Sequence, residues 1–158
     1  GVGGHRRLMS AIAHIQAGYQ NYARFSGRTP RPEYWWFAGF LFVGQILSFA
    51  IAPIVAGVFL LSAILPGFAA AARRLHDAGR SGLWLILPLV VTPAWLLIWI
   101  GSAASALAVR EDPLDNDIYF LSASFVMLVA SGLMLVWLTA PSEPGTNKYG
   151  PNPNEVIQ

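Results

Sequence analysis

The chain has 158 residues, of which 55% are hydrophobic and only 11% charged, with a net charge of +2. Soluble domains carry about 25% charged residues, so this composition points to the bilayer, and no nucleic-acid partner is expected. The absence of cysteine excludes disulfides, thiolate metal sites and cysteine nucleophiles.

Residues 1–33 form an N-terminal segment without a sustained apolar core, so no signal peptide is expected there. The opening Gly1-Val2-Gly3-Gly4 reads as an added or trimmed end and is given no structural weight. From Leu8 to Tyr22, the residues Leu8, Ile12, Ile15, Tyr19 and Tyr22 recur at helical spacing, with Gln16, Gln20 and Asn21 off that stripe. This predicts an amphipathic helix, either lying on the membrane surface or packed on the other helices; a moment alone does not choose between lipid and protein.

Residues 34–138 form the membrane domain. Tyr34 to Ala72 carries no charge over 39 residues. As one straight helix it would be about 58 Å long, against a hydrocarbon core of about 30 Å, so it must turn back. Pro53 and Gly57 mark the turn, placing spans at about Tyr34–Ala52 and Val58–Ala72. A third span runs from about Leu83 to Ile100, extendable to Val109, with kinks expected at Pro88 and Pro93. The fourth runs from about Ile118 to Leu138. Residues 139–158 are rich in Pro, Gly and Asn and read as an irregular tail. The expected fold class is all-α: an integral membrane four-helix bundle with an N-terminal amphipathic interfacial helix.

Four spans put nine of the ten basic residues on one side, leaving only Arg110 beside Glu111, Asp112, Asp115 and Asp117 on the other. The basic side is expected to be cytoplasmic, with both termini there. The acidic loop has a cation-binding composition but not the spacing of a calcium loop, and reads as a solvated turn.

The densest polar stretch is "ARRLHDAGRSG", Ala72 to Gly82. Each residue has a structural role available. Arg73, Arg74 and His76 suit the electronegative end of the second span. Arg73 and Asp77 are four apart and can pair. Gly79 suits the left-handed position that ends a helix, and Ser81 the cap of the next. A functional reading is also open, because Arg73, Arg74 and Arg80, with Arg28 and Arg31 of the preceding group, could hold lipid phosphate or another anion. A Ser-His-Asp relay within the stretch is implausible, since adjacent helical residues point about 100° apart. No catalytic residue is assigned. The structural network is expected to comprise Glu33, His76, Asp77 and Ser81, with Glu33 or Asp77 joining the two polar segments through an arginine. Lys148 and Tyr149 could fold back beneath the spans.

His5 and His14 are isolated, no His, Asp or Glu set has metal-ligand spacing, and no nucleotide-binding loop is present, so neither a metal nor a cofactor is expected. The spans carry no carboxylate, lysine or arginine at mid-depth, which argues against an ion-coupled carrier. Small residues at Gly67 to Ala72 and at Gly101 to Ala106 allow close helix approach.

Three blocks, "FSGRTPRPEYWWF" before the first span, "RRLHDAGRSGLW" between the second and third, and "PGTNKYGPNP" in the tail, together resemble the DUF805 family of small bacterial inner-membrane proteins. The resemblance implies four spans in a bacterial cytoplasmic membrane and no established enzymatic activity. The expected function is that of an accessory or scaffold subunit whose arginine-rich cytoplasmic face contacts anionic lipid or subunits of a larger membrane complex. The alternatives are a small-solute carrier or channel, and a lipid-headgroup enzyme using His76 or Asp77.

Because the chain is free of cysteine, topology can be read by single labels. In intact cells, a membrane-impermeant maleimide should modify Asp112→Cys and spare Arg80→Cys until the membrane is opened. The reverse pattern would overturn the four-span arrangement.

Overall fold

The structure, a computed structural model, describes residues 2–108 and 113–155, with side chains described outside residues 2–9 and 105–117. It is all-helical in its regular elements. In chain order these are α1 (Val2–Gln20), α2 (Arg31–Ile51), α3 (Pro53–Asp77), a 3₁₀ turn (Gly82–Leu85), α4 (Ile86–Ala108) and α5 (Pro113–Thr139). Four helical stretches, Arg31–Ile51, Pro53–Asp77, Gly82–Ala104 and Ile118–Thr139, are long and apolar enough to cross a bilayer. By compactness the chain divides into two units. One comprises residues 1–83 with 138–158, and the other residues 84–137.

In the first unit, α2 and α3 form an antiparallel hairpin sharper than the sequence suggests. The turn is the single residue Ala52, extended at φ −167° and ψ 148°, and Pro53 opens α3 directly. Proline is at home in a helix's first turn because its missing amide would have had no helical partner there. The helix therefore starts five residues before the expected Val58 and passes through Gly57. The two helices approach closely over small residues. Phe59 seats its ring on Gly44, Ala56 and Ala63 are buried, and Gln45 donates to the Ala56 carbonyl at 3.3 Å.

Proline 66 lies inside α3, so the carbonyl of Ser62, four residues earlier, has no amide to accept from. The Tyr22 hydroxyl donates to that carbonyl instead, at 3.1 Å. This long-range bond ties the segment after α1 to the middle of α3, where an orphaned carbonyl in hydrocarbon would be costly.

Helix α1 packs on α2 through its small residues. Ala11 is buried, and Gly18 lies against the ring of Phe37, itself only 1% exposed. Tyr19 contacts Phe37 and Phe40 edge to face at 5.3 and 5.9 Å. The larger members of the predicted stripe, Ile12, Tyr19 and Tyr22, stay exposed. The contact with α2 is thus made by small residues and by the edge of Tyr19, with Ile15 half-buried beside them.

In the second unit, α4 and α5 meet through the Trp95 indole, which donates to the Ser124 hydroxyl at 3.0 Å, and Trp84 of the 3₁₀ turn lies against Trp137 of α5, their rings 4.9 Å apart. Pro88 falls in the first turn of α4 and interrupts no helical bond, contrary to the expected kink, whereas Pro93 lies within the helix. Helix α5 starts at Pro113, and its membrane-crossing stretch begins at Ile118, as the sequence predicts. Of the acidic loop, Arg110, Glu111 and Asp112 lie outside the described residues, and residues 113–117 fall in the opening of α5, where side chains are not described. Gly101 has open space around it.

A methyl group at position 18 would overlap the Phe37 ring. Gly18→Ala should therefore destabilise the α1–α2 contact by about 1–3 kcal/mol, the usual cost of overpacking. The expected readout is earlier proteolysis of α1 in detergent, with the spans left intact.

Candidate functional site

The polar stretch at the end of α3 is built from its own helix outward. Asp77 closes the helix, Ala78 caps it, and Gly79 adopts φ +73°. The amides of Gly79 and Arg80 donate to the carbonyls of His76 and Leu75 at 3.1 and 2.8 Å, forming a Schellman motif. Ser81 then accepts the Leu83 amide at 3.2 Å and starts the 3₁₀ turn. A side chain at position 79 would be strained by that φ, and its Cβ would lie 2.6 Å from the Glu143 carboxylate. Glycine here both ends the helix and admits the tail.

Asp77 is the hub. Its side chain is fully buried and receives Arg28 Nε at 3.0 Å on one oxygen, and Arg74 Nη1 and Ser142 Oγ, the latter at 2.6 Å, on the other. Its backbone carbonyl accepts the Glu143 amide at 2.8 Å. The pairing of Arg73 with Asp77 suggested by their spacing does not form. Arg74, three residues before Asp77, takes that place, and Arg73 points to the segment before α2.

The three buried arginines reach backbone carbonyls throughout. Arg28 also donates to Glu143 and Gly145 carbonyls, at 2.5 and 2.8 Å. Arg73 donates to the Thr29 hydroxyl at 3.0 Å and to the Asn21 carbonyl at 3.1 Å, while the Thr29 amide returns a bond to the Arg73 carbonyl at 3.2 Å. Arg74 donates through Nε to the Leu138 carbonyl at 2.9 Å and through Nη2 to that of Ala140. Arg73 and Arg74 are 3% and 0% exposed, and the Arg28 side chain 1%.

His76 turns away from this hub. Its Nδ1 lies 3.2 Å from the Gly27 carbonyl, and its ring stacks on Tyr149 at 3.7 Å and 6°. Asn147 bridges the His76 carbonyl and the Glu143 carboxylate at 3.0 and 2.7 Å. Glu33 is half-buried on the first turn of α2, within electrostatic reach of Arg73 and His14, and forms no ion pair within 4.0 Å among the described residues. Arg31 is exposed, its Nε donating to the Ala140 carbonyl at 2.9 Å, and Arg80 is exposed on the loop.

The structure thus brings together Arg28, Arg73, Arg74 and Asp77, and adds partners the sequence did not mark: Thr29, Ser142, Glu143 and Asn147. Most acceptors are backbone carbonyls, which every residue has and which leave no trace in a residue pattern. The "PGTNKYGPNP" block was the available signal, because a run of turn formers with a tyrosine has the composition of a segment folded onto something else.

The class this defines is a polytopic α-helical membrane protein whose polar ends are bound together by buried arginine. The chain belongs to the DUF805 family, described as a protein of unknown function, which matches residues 22–151. Inner membrane protein YhaI of Escherichia coli strain K12 is 38% identical over 88 residues, covering 51% of this chain and 75% of that protein. Uncharacterized protein YiiR of the same organism is 32% identical over 139 residues, covering 84% and 87%. Inner membrane protein YhaH, also from that strain, is 32% identical over 93 residues, covering 50% and 74%. No solved structure matches the chain.

Removing one partner of a buried ion pair leaves the other charge uncompensated, at a cost of about 3–5 kcal/mol. Arg74→Gln and Asp77→Asn should both lower the thermal midpoint in detergent sharply, and the double variant should be less destabilised than the sum of the two. Additive effects would show that the pair is not coupled.

Proposed function

We propose that this protein is a non-enzymatic accessory or scaffold subunit of the bacterial cytoplasmic membrane, presenting a preformed cytoplasmic face to a partner protein or to anionic lipid. The observation that carries this reading is the buried Arg28–Asp77–Arg74 group. Its charges are directed inward and fasten three separate segments of chain, as expected of a device for holding a surface in shape. The cytoplasmic assignment of that face, and of both termini, rests on the excess of basic residues there.

The residues a headgroup enzyme would draw on are already engaged. Both Asp77 oxygens have donors, and the His76 ring is covered on one face by Tyr149. General acid–base work requires such a group to reach a substrate proton at hydrogen-bond distance. A carrier would be favoured by a polar cavity within the spans. The cleft of about 420 Å³ between α4 and α5 is lined mainly by Val90, Val91, Ala94, Ile98 and Val126, which suits an acyl chain better than a hydrated solute.

Purification in native lipid nanodiscs, with mass spectrometry of everything retained, tests this proposal. The wild type and His76→Ala should keep the same co-purifying subunit or anionic phospholipid, and Arg74→Gln should lose it. A wild type that retains neither, or a turnover activity abolished in a folded His76→Ala protein, would overturn the reading.

A further inference from the structure

Arg31 differs from the three buried arginines. Nε is held by the Ala140 carbonyl, but neither terminal nitrogen has a protein acceptor among the described residues, and the side chain is exposed. It lines a cleft of about 420 Å³ together with Pro32, Trp35 and Trp36. That volume falls within the range of small-ligand sites, about 300–1,000 Å³. The two indoles are 38% and 50% exposed, and neither indole N–H has a partner among the described residues. Tyr34 packs edge to face on Trp35 at 5.3 Å, holding that ring in place.

Position and chemistry together define the occupant. The cleft lies on the first turn of α2, where a membrane span begins. Tryptophan favours this depth, which is also the depth of lipid phosphate. Arg31 is fixed at one nitrogen and offers a planar pair of donors beyond it, the geometry that suits a phosphate diester. The positive end of the α2 dipole adds to the same field. The aromatic walls suit the glycerol and first chain carbons, and Phe40 continues an exposed apolar surface further along the helix. A free phosphate ion would make no use of those walls, and the ammonium group of a zwitterionic lipid would be repelled by the guanidinium.

We propose that Arg31, Trp35 and Trp36 form a binding site for one anionic phospholipid, its phosphate on the Arg31 terminal nitrogens and its glycerol region against the indoles. This rests on the reading that the arginine-bearing face meets anionic lipid, and places one such contact at Arg31, since Arg28, Arg73 and Arg74 are buried among protein groups.

The test is native mass spectrometry of the full chain released from nanodiscs of phosphatidylethanolamine containing graded phosphatidylglycerol. The wild type should retain one phosphatidylglycerol in preference to phosphatidylethanolamine. Arg31→Gln should weaken that retention about tenfold, the scale of one charge-assisted hydrogen bond. Trp36→Ala, which leaves the arginine in place, should weaken it too, and Lys148→Gln should not. Adding inorganic phosphate should not displace the lipid. A wild type with no preference for phosphatidylglycerol would overturn both this site and the wider lipid reading. A wild type with the preference, and Arg31→Gln and Trp36→Ala proteins that keep it, would overturn the site alone.

Discussion

A guanidinium taken out of water needs acceptors for its donors, and this fold supplies them largely at helix ends, leaving only the Arg73 Nη2 buried without a partner among the arginine nitrogens of the described residues. Arg28 and Arg74 are buried around one carboxylate, Asp77, and Arg73 is buried against Thr29 and the Asn21 carbonyl, leaving an excess of positive charge at the hub. The balance is supplied by carbonyls that helices leave unsatisfied at their C-termini. Asn21 follows the end of α1, Leu138 and Ala140 lie at and beyond the end of α5, and Asp77 itself ends α3. Each of these termini carries the negative end of a helix dipole. The buried cations therefore sit where the backbone field favours them, with the carboxylate holding two of them in register.

That constraint accounts for the tail. Residues 140–155 have no regular helix or strand, yet they are held by bonds from Arg28, Arg31, Asn147 and Asn152 and by the stacking of Tyr149 on His76. Irregular backbone must send its amides and carbonyls somewhere, and here many of them go to side chains of the hub. The segment between α1 and α2 is held in the same way, through Thr29, Asn21 and Gly27. A polar face assembled from irregular segments thereby acquires the definition that regular elements normally provide. The proposed lipid cleft depends on this, because the bond between Arg31 and Ala140 positions the guanidinium.

The membrane-spanning surface follows a different rule. Large apolar side chains such as Phe42, Ile54, Leu61, Leu97 and Leu128 are mostly exposed, as expected where the solvent is hydrocarbon and burial brings no hydrophobic gain. Close contact between α2 and α3 is made instead by Ala, Gly and a glutamine hydrogen bond. Pro66 is tolerated in α3 because Tyr22 satisfies the carbonyl it frees.

Charge-free runs, their lengths and the placement of arginine were enough to read the number of spans, the all-α class and the polar stretch that closes the second span, because hydrocarbon thickness and the cost of burying charge act on any sequence in the same way. Gly79 and Ser81 were legible for a similar reason: helix termini impose local dihedral and capping demands that few residue types meet. The one-residue hairpin at Ala52, the choice of Arg74 over Arg73 for Asp77, and the tail's return to the hub were decided only in three dimensions. Each depends on which backbone carbonyls arrive beside a side chain, and a carbonyl is common to every residue, so no residue code records it before the chain has folded.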